Sequence, residues 1–242
     1  MYIQNRLGLI ESVETMLRQE NRLSQVANNL ANVDTTGFKK ENVTFWEMLY
    51  KASGNRHRVG KGAKIITDHQ QGPTQLTGNP LDIAINGEGY FKIQTQRGMR
   101  YTRDGNFHKN SQGQVTTSNG DLLMGQGGAI TIEGGIVTID NQGSVYVDGN
   151  LADQLAIVTF ADTNGLEKEG LNMYRTKSAD VQEQTPEEYT LEQGYLEESN
   201  VNTVKEMTEM IELQRVFEAQ QKVIRTIDEI NDEAIRRVGK LT

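Results

Sequence analysis

Apolar residues recur in alternating steps of three and four at both ends of the chain, and in steps of two through its middle. Near the N-terminus they fall at Leu9, Val13, Met16, Leu23, Ala27 and Leu30, with Glu20 filling one slot. This heptad seam predicts an amphipathic helix over about 5–31. The helix should stop near Asn32, where Val33, Asp34, Thr35, Thr36 and Gly37 favour turns. A longer seam runs through Met210, Leu213, Phe217, Gln220, Ile224, Ile227, Asn231, Ala234, Val238 and Leu241, and predicts a helix over about 203–241. Thr203 followed by Glu206 reads as a capping box, with Thr203 as N-cap. Glu218–Lys222, Asp232–Arg236 and Glu233–Arg237 are supporting i,i+4 pairs, each contributing about 0.2–0.5 kcal/mol. Two such seams at opposite ends can meet each other, or meet copies from neighbouring subunits.

The middle reads as β-structure. Leu81, Ile83 and Ile85 share one face of a strand, and 90–93, 129–132, 136–139, 145–147 and 155–160 read as further strands. Turn signals separate them at Gly78-Asn79-Pro80, Asn86-Gly87, Asp104-Gly105, Asn119-Gly120, Gly134-Gly135 and Asp148-Gly149. Twenty of the 24 glycines fall between Gly54 and Gly170, and all three prolines lie between the helical ends. Helix interiors disfavour both residue types, so composition draws the same division into helix, β-rich body and helix. The expected domains are therefore 1–36 with 200–242 as a terminal helical domain, 37–75 as an extended connector, 76–190 as a β-rich domain and 191–199 as a return connector.

Charge and cysteine count narrow the function classes. The 242 residues carry a net charge of -8, which argues against a general nucleic-acid binder. A local basic patch stands out at Arg56, His57, Arg58, Lys61 and Lys64. The absence of cysteine excludes disulfides, thiolate catalysis and Cys-ligated zinc. No apolar run is long enough for a membrane span. Residues 1–20 lack the basic start, apolar run and small-residue cleavage site of a cleaved leader.

Three segments, in order, resemble the flagellar basal-body rod protein family. The first runs from Ala27 through Asn28, Asn29, Leu30, Asn32 and Gly37-Phe38-Lys39. The second runs from Thr77 through Asn79-Pro80-Leu81-Asp82 to Tyr101-Thr102-Arg103-Asp104-Gly105. The third runs from Gly194 through Glu197, Ser199-Asn200-Val201 to Gln214-Arg215 and Phe217. Together they span nearly the whole chain. Within the family, the modest length and the tail from Val223 to Asn231 resemble the proximal-rod F type, and the distal-rod G type shares all three segments.

The resemblance implies an α+β fold, with N- and C-terminal helices paired in a coiled-coil-like helical domain and a central, mostly antiparallel β domain. It implies a structural subunit of the rod, the drive shaft that crosses the periplasm toward the hook. Its partners would be copies of itself, other rod proteins, the flagellar type III export apparatus and a rod-capping protein, with export requiring no cleaved signal. It implies no cofactor, no nucleic acid and no membrane insertion.

Other classes find little purchase. His57, His69 and His108 show no metal-ligand spacing, Gly125-Gln126-Gly127-Gly128 lacks the end of a phosphate loop, and no Gly-x-Ser-x-Gly occurs. Asp82 and Asp104 could form a glycosidase-like pair, but among 33 acidic residues some such pair arises by chance. A coiled-coil adaptor would use the same helices to hold one partner rather than join a polymer. The apolar seam residues serve either an intramolecular core or an interface. Asn28, Asn29 and Asn32 suit either capping or inter-subunit hydrogen bonds. Gly37 suits a turn closed to other residues, and Phe38 an anchor for the connector.

Overall fold

The computed structural model describes residues 2–52, 56–178 and 181–238, and the side chains of 12–46, 62–178, 181–233 and 236. Leu9, Ala234 and Val238 of the helical seams have side chains outside these ranges, as do the basic residues 56–61, and Leu241 lies outside the described backbone. The chain divides into two compact units: 1–31 with 41–66 and 202–242, and 32–40 with 67–201.

The first unit holds α1 (Tyr2–Ala31), β1 (Glu41–Ala52), β2 (Arg56–Thr67) and α2 (Thr203–Val238). Helix α1 packs against α2 and β1. Along α2, Leu213 is buried, and Met210, Phe217, Gln220, Ile224, Ile227 and Asn231 are half-buried, while most residues between them are exposed. The three-and-four spacing thus marks the inward stripe. On α1 the stripe sits slightly differently: Met16, Leu23 and Leu30 are half-buried and Val26 is buried, whereas Val13 and Ala27 face outward. Val26 removes more apolar area from water than Ala27 could, and a straight helix drifts against a strict heptad. The N-cap of α2 is Asn202, not Thr203: Asn202 Oδ1 accepts from the Lys205 N–H at 3.0 Å.

The expected connector over 37–75 is not a single one. Strands β1 and β2 pair as a two-stranded sheet in the first unit, and 37–40 and 67–75 belong to the second. Val43, Thr44, Phe45 and Trp46, answered by Ile65, Ile66 and Thr67, outweigh the local glycines in favour of strand. A Cβ on Gly62 would collide with the Trp46 indole, so the ring packs directly on glycine backbone.

The second unit carries the remaining strands: β3 (Thr74–Leu76), β4 (Ile83–Gly87), β5 (Tyr90–Thr95), β6 (Gly98–Thr102), β7 (Phe107–Lys109), β8 (Val115–Thr117), β9 (Leu122–Leu123) and β10 (Val137–Ile139). After them come β11 (Ser144–Val147), β12 (Asn150–Gln154), β13 (Ile157–Val158), β14 (Leu166–Gly170), β15 (Met173–Thr176), β16 (Tyr189–Gln193) and β17 (Tyr195–Glu197). The largest sheet runs β14-β15-β6-β5-β9-β8-β7, with β13 also on β5; β10-β11-β12, β16-β4 and β17-β3 form smaller sheets. Every strand pairing registered in this unit is antiparallel. One core gathers Ile83, Ile85, Phe91, Ile93, Phe107 and Leu191, and a second, aromatic core gathers Tyr90, Tyr101, Phe160 and Tyr174.

Two local expectations change. Asn86-Gly87 is not a turn; it ends β4, where Asn86 pairs with Thr190 and Gly87 with Tyr189, because a non-local partner strand overrides turn preference. Residues 129–132 bury Ile130 and Ile132 but join neighbours only through isolated bridges. Asp148-Gly149 does form the β11–β12 turn, with φ of 50° and 86°, the geometry of a type I′ hairpin.

Candidate functional site

In the first unit the Asn29 side chain is fully enclosed. Its Nδ2 donates to the Glu41 carbonyl at 2.9 Å and to Glu206 Oε2 at 3.3 Å, and its Oδ1 accepts from the Glu41 N–H at 3.0 Å. Asn29 therefore imitates a strand partner for the first residue of β1. Gln25 donates to Glu41 Oε2, and Arg22 joins Glu209 by an exposed ion pair. Buried polar groups persist only when paired, and Asn29 and Glu206 satisfy each other across the two helices. Glu206 therefore reaches across to α1. Asn28 is exposed on α1, and Asn32 accepts from the Thr35 hydroxyl at 3.4 Å.

In the second unit, residues 32–40 form a strap across the β-structure. Gly37 has φ of 63°, and a Cβ there would overlap the Asp104 backbone. Its N–H donates to the Glu197 carbonyl at 2.8 Å. Phe38 is buried, with the Lys168 ammonium 3.8 Å from its ring centre. Lys39 follows with its side chain wholly buried, donating to Glu197 Oε1 at 2.5 Å and the Gln70 carbonyl at 2.6 Å.

Glu197 is the hub. The same carboxylate accepts from the Gly72 N–H at 3.0 Å and from Arg103 Nη1 at 3.2 Å. Arg103 also donates to the carbonyls of Ile85 and Gly87, and its guanidinium lies 5.3 Å from the Tyr90 ring centre. Two cations thus share one buried carboxylate. Burial pushes the Lys39 ammonium below its usual value, against the attraction of Glu197. Nearby His69 is driven from 6.5 to about 4, first by burial and then by the Lys39 charge, and shares a 2.7 Å hydrogen bond with the Tyr90 hydroxyl. Burial likewise pushes the Tyr90 phenol up.

Asn200 closes the joint. Its Oδ1 accepts from the Lys40 N–H at 2.7 Å, and its Nδ2 donates to the carbonyls of Asp68 and Gln70 at 3.0 and 2.9 Å. The Asp68 N–H reaches the Lys40 carbonyl at 2.7 Å. One side chain therefore ties together three segments just where each is about to leave this unit, after Lys40, before Thr67 and after Val201. Ser199 and Val201 are buried beside it, and Ser199 Oγ accepts from the Val201 N–H.

The Asn79-Pro80-Leu81-Asp82 segment builds a turn around Asp82. That carboxylate accepts from the Thr77 hydroxyl at 2.7 Å, from Asn79 Nδ2 at 3.0 Å and from Asn106 Nδ2 at 3.1 Å. Pro80 is exposed, Leu81 is half-buried, and the Pro80 carbonyl accepts from Gln193. Asp104 accepts from the Thr36 hydroxyl and the Asn106 N–H, and burial raises its pKa against those bonds. Thr102 Oγ1 accepts from the Asp104 N–H and donates to the Asn172 carbonyl. A Cβ on Gly105 would overlap the Ile83 carbonyl. Asp82 and Asp104 are thus both spent on turns and on the strap. Tyr101 donates to Glu183 and packs edge-on to Phe160. Gln214 and Arg215 lie exposed on α2.

The structure brings part of the motifs together, at the Asn29 knot, the Glu197–Asn200 joint and the Asp82 turn, while Asn28, Gln214 and Arg215 stand apart on exposed helix faces. Lys39, Glu197, Asn172 and Glu206 were not singled out as site residues. Lys39 and Glu197 stand inside the motif segments, but no local signal pairs charges 158 residues apart.

Comparison with known proteins agrees. Residues 12–39 match the family described as Flagella basal body rod protein, 84–147 the Flagellar hook protein FlgE/F/G D1 domain, and 192–237 the Flagellar basal body rod FlgEFG protein C-terminal. The chain is 37% identical to the flagellar basal-body rod protein FlgG of Bacillus subtilis over 94% of its length and 97% of that protein's. It is 35% identical to FlgF of Caulobacter vibrioides, over 99% and 100%. The FlgG protein of Caulobacter vibrioides is 34% identical over 89% and 93%. With segments in the family's order and similarity running almost end to end, the chain belongs to the flagellar basal-body rod protein family, as a structural subunit of the rod.

Proposed function

We propose that this subunit polymerises through its terminal helices into the tubular shaft and carries torque by interlocked side chains, without chemistry. The observation that supports this is the outer face of its helices. Val13 and Leu17 on α1, and Met207, Ile211, Val223 and Ile230 on α2, are large apolar residues left exposed in the single chain. Leu9, Val13, Met16, Leu23, Ala27 and Leu30, with Met210, Leu213, Phe217, Ile224, Ile227 and Ala234, form the seam in this reading, some covered by the partner helix and the rest by neighbouring copies. A lone helix is marginal in water, so the helix ends order on assembly. A head-to-tail contact that does not close into a ring propagates as a filament.

The partners in this reading are copies of itself, other rod proteins, the export apparatus and a rod-capping protein, and the place is the rod crossing the periplasm. No helix among the described residues is long and apolar enough to cross a membrane. Identity does not separate the F and G types, at 35% and 37% for the two relatives above. Coverage does not separate them either, at 100% and 97% of those two relatives' lengths; what supports the proximal F position is the modest length and the tail from Val223 to Asn231.

Quantitative mass spectrometry of purified hook–basal bodies tests the reading. A few copies per particle, resistant to removal of filament and hook, are expected; a soluble protein bound to one partner at fixed stoichiometry would make it an adaptor instead. Deleting a proximal subunit should also remove the distal rod from the particle, whereas deleting a distal subunit should leave the proximal rod in place.

A further inference from the structure

The helical unit rests on few deep side chains, and most of them are polar. Among the described residues of α1 and α2, Gln25, Val26, Asn29, Glu206 and Leu213 are buried, and three of these five carry polar groups. Burying such groups costs free energy that apolar side chains would not incur, so each depends on its partners. Those partners span the unit. Asn29 Nδ2 donates to Glu206 on α2 and to the Glu41 carbonyl at the start of β1, its Oδ1 accepts from the Glu41 N–H, and Gln25 donates to the Glu41 carboxylate. On the same α1, Val13 and Leu17 stand 44% and 55% exposed, and Ala27 is exposed as well.

Apolar content alone offers α1 two faces to bury. Met16, Leu23 and Leu30, all half-buried, belong to both. The observed face adds Val26; the heptad face, reached by turning the helix about its axis, adds Val13 and Ala27 instead. One valine against a valine and an alanine leaves the hydrophobic term with no strong preference. The polar groups do discriminate. Turning α1 toward its heptad face would carry Gln25 and Asn29 out of the interface. It would separate the buried Glu206 carboxylate from Asn29 and take that side chain away from both backbone groups of Glu41.

We propose that Asn29 and Glu206 are the specificity-determining pair of the helical unit: they choose which face of α1 is buried, and so keep Val13, Leu17 and Ala27 outward. The pair works by penalty. It adds little to the strength of the helix contact and makes the competing arrangement costly, as a polar residue in an apolar seam fixes register. This role rests on the reading of the chain as a subunit that polymerises through its helices, for which the outward face is the one a neighbouring copy meets. Without the pair, a free chain would cover part of that face with its own helix before any neighbour arrived.

The chain has no cysteine, so a thiol at position 27 reports which way α1 is turned. The full chain carrying Ala27→Cys is reacted with a maleimide, alone and together with Glu206→Ala, with Asn29→Ala plus Glu206→Ala, or with Glu206→Gln. Labelling should slow about tenfold in both alanine backgrounds, because the outward arrangement of residue 27 becomes the minor one. It should keep its unaltered rate with Glu206→Gln, whose side chain still accepts from Asn29. A pair that only adds stability gives the reverse, since loosening a fold speeds labelling. Unchanged or faster labelling with Glu206→Ala, outright unfolding included, therefore overturns the proposal. In hook–basal bodies, Glu206→Ala without the thiol should be depleted relative to Glu206→Gln, and equal incorporation of the two overturns it as well. Absence of the unaltered chain from those particles overturns the rod reading instead, and leaves the labelling result standing.

Discussion

Glu197 is the residue whose loss should be felt most. Replacing it by glutamine leaves Lys39 and Arg103 buried without their carboxylate, and removing one partner of a buried pair costs about 3–5 kcal/mol. Urea unfolding followed by the near-UV signal of the tyrosine cluster should show this, because the single tryptophan, Trp46, lies in the other unit and reports on that one. Adding Lys39→Met to Glu197→Gln should cost less than the sum of the two separate losses, since the second change removes a cation already stranded. His69 gives this unit a pH dependence. The unfolded chain takes up a proton near 6.5, and the native imidazole resists until about 4. Stability from this group is complete above the higher value and is lost as pH falls toward the lower one, at no more than about 1.4 kcal/mol per pH unit. The slope should shrink in His69→Gln; an unchanged difference between the two proteins from pH 7 to pH 4 would contradict it. Much at this scale was legible: the turn at Gly37 and the anchoring role of Phe38 follow from residue type, and Gly37→Ala should destabilise by more than about 1 kcal/mol. The pairing of Lys39 with Glu197 was not legible, because nothing near either residue records the other.

Among the elements, helix seams were more readable than strands. The three-and-four spacing found the inward stripe of α2 because burial there follows a single periodicity over the described side chains of 203–233. It placed α1 less well, since a polar knot replaces apolar packing near its end and rotates the buried edge toward Gln25, Val26 and Asn29. The start of α2 shows how two capping candidates compete. Asn202 holds the Lys205 N–H, so Asn202→Ala should lower helix stability by about 1 kcal/mol and Thr203→Ala by much less, as read by amide exchange over 203–210. Equal effects would return the cap to Thr203. Leu213, the deepest apolar side chain described on α2, should cost about 2–5 kcal/mol on truncation to alanine, measured through Trp46 fluorescence on urea unfolding. Short strands were harder to read. Residues 129–132 look extended yet join no sheet, and Asn86-Gly87 looks like a turn yet completes β4, because partner strands rather than local preference decide such segments.

For the whole molecule, the division into helical ends and a β-rich middle was visible in where glycine, proline and the heptads fall. Assignment of 32–40 to the β unit was not, because the strap is held by distant residues and its composition is that of any turn. The strap also bears on how the chain comes to be folded. Gly37, Lys39 and Lys40 find their partners at Glu197 and Asn200. A polypeptide delivered N-terminus first must therefore hold its thirties open, with a lysine and a phenylalanine unhoused, until the residues near position 200 arrive. Closure of this unit is a late event by construction, fixed by the order in which residues become available. A chain cut before Glu197 should contain most of its strands and still be unable to lock.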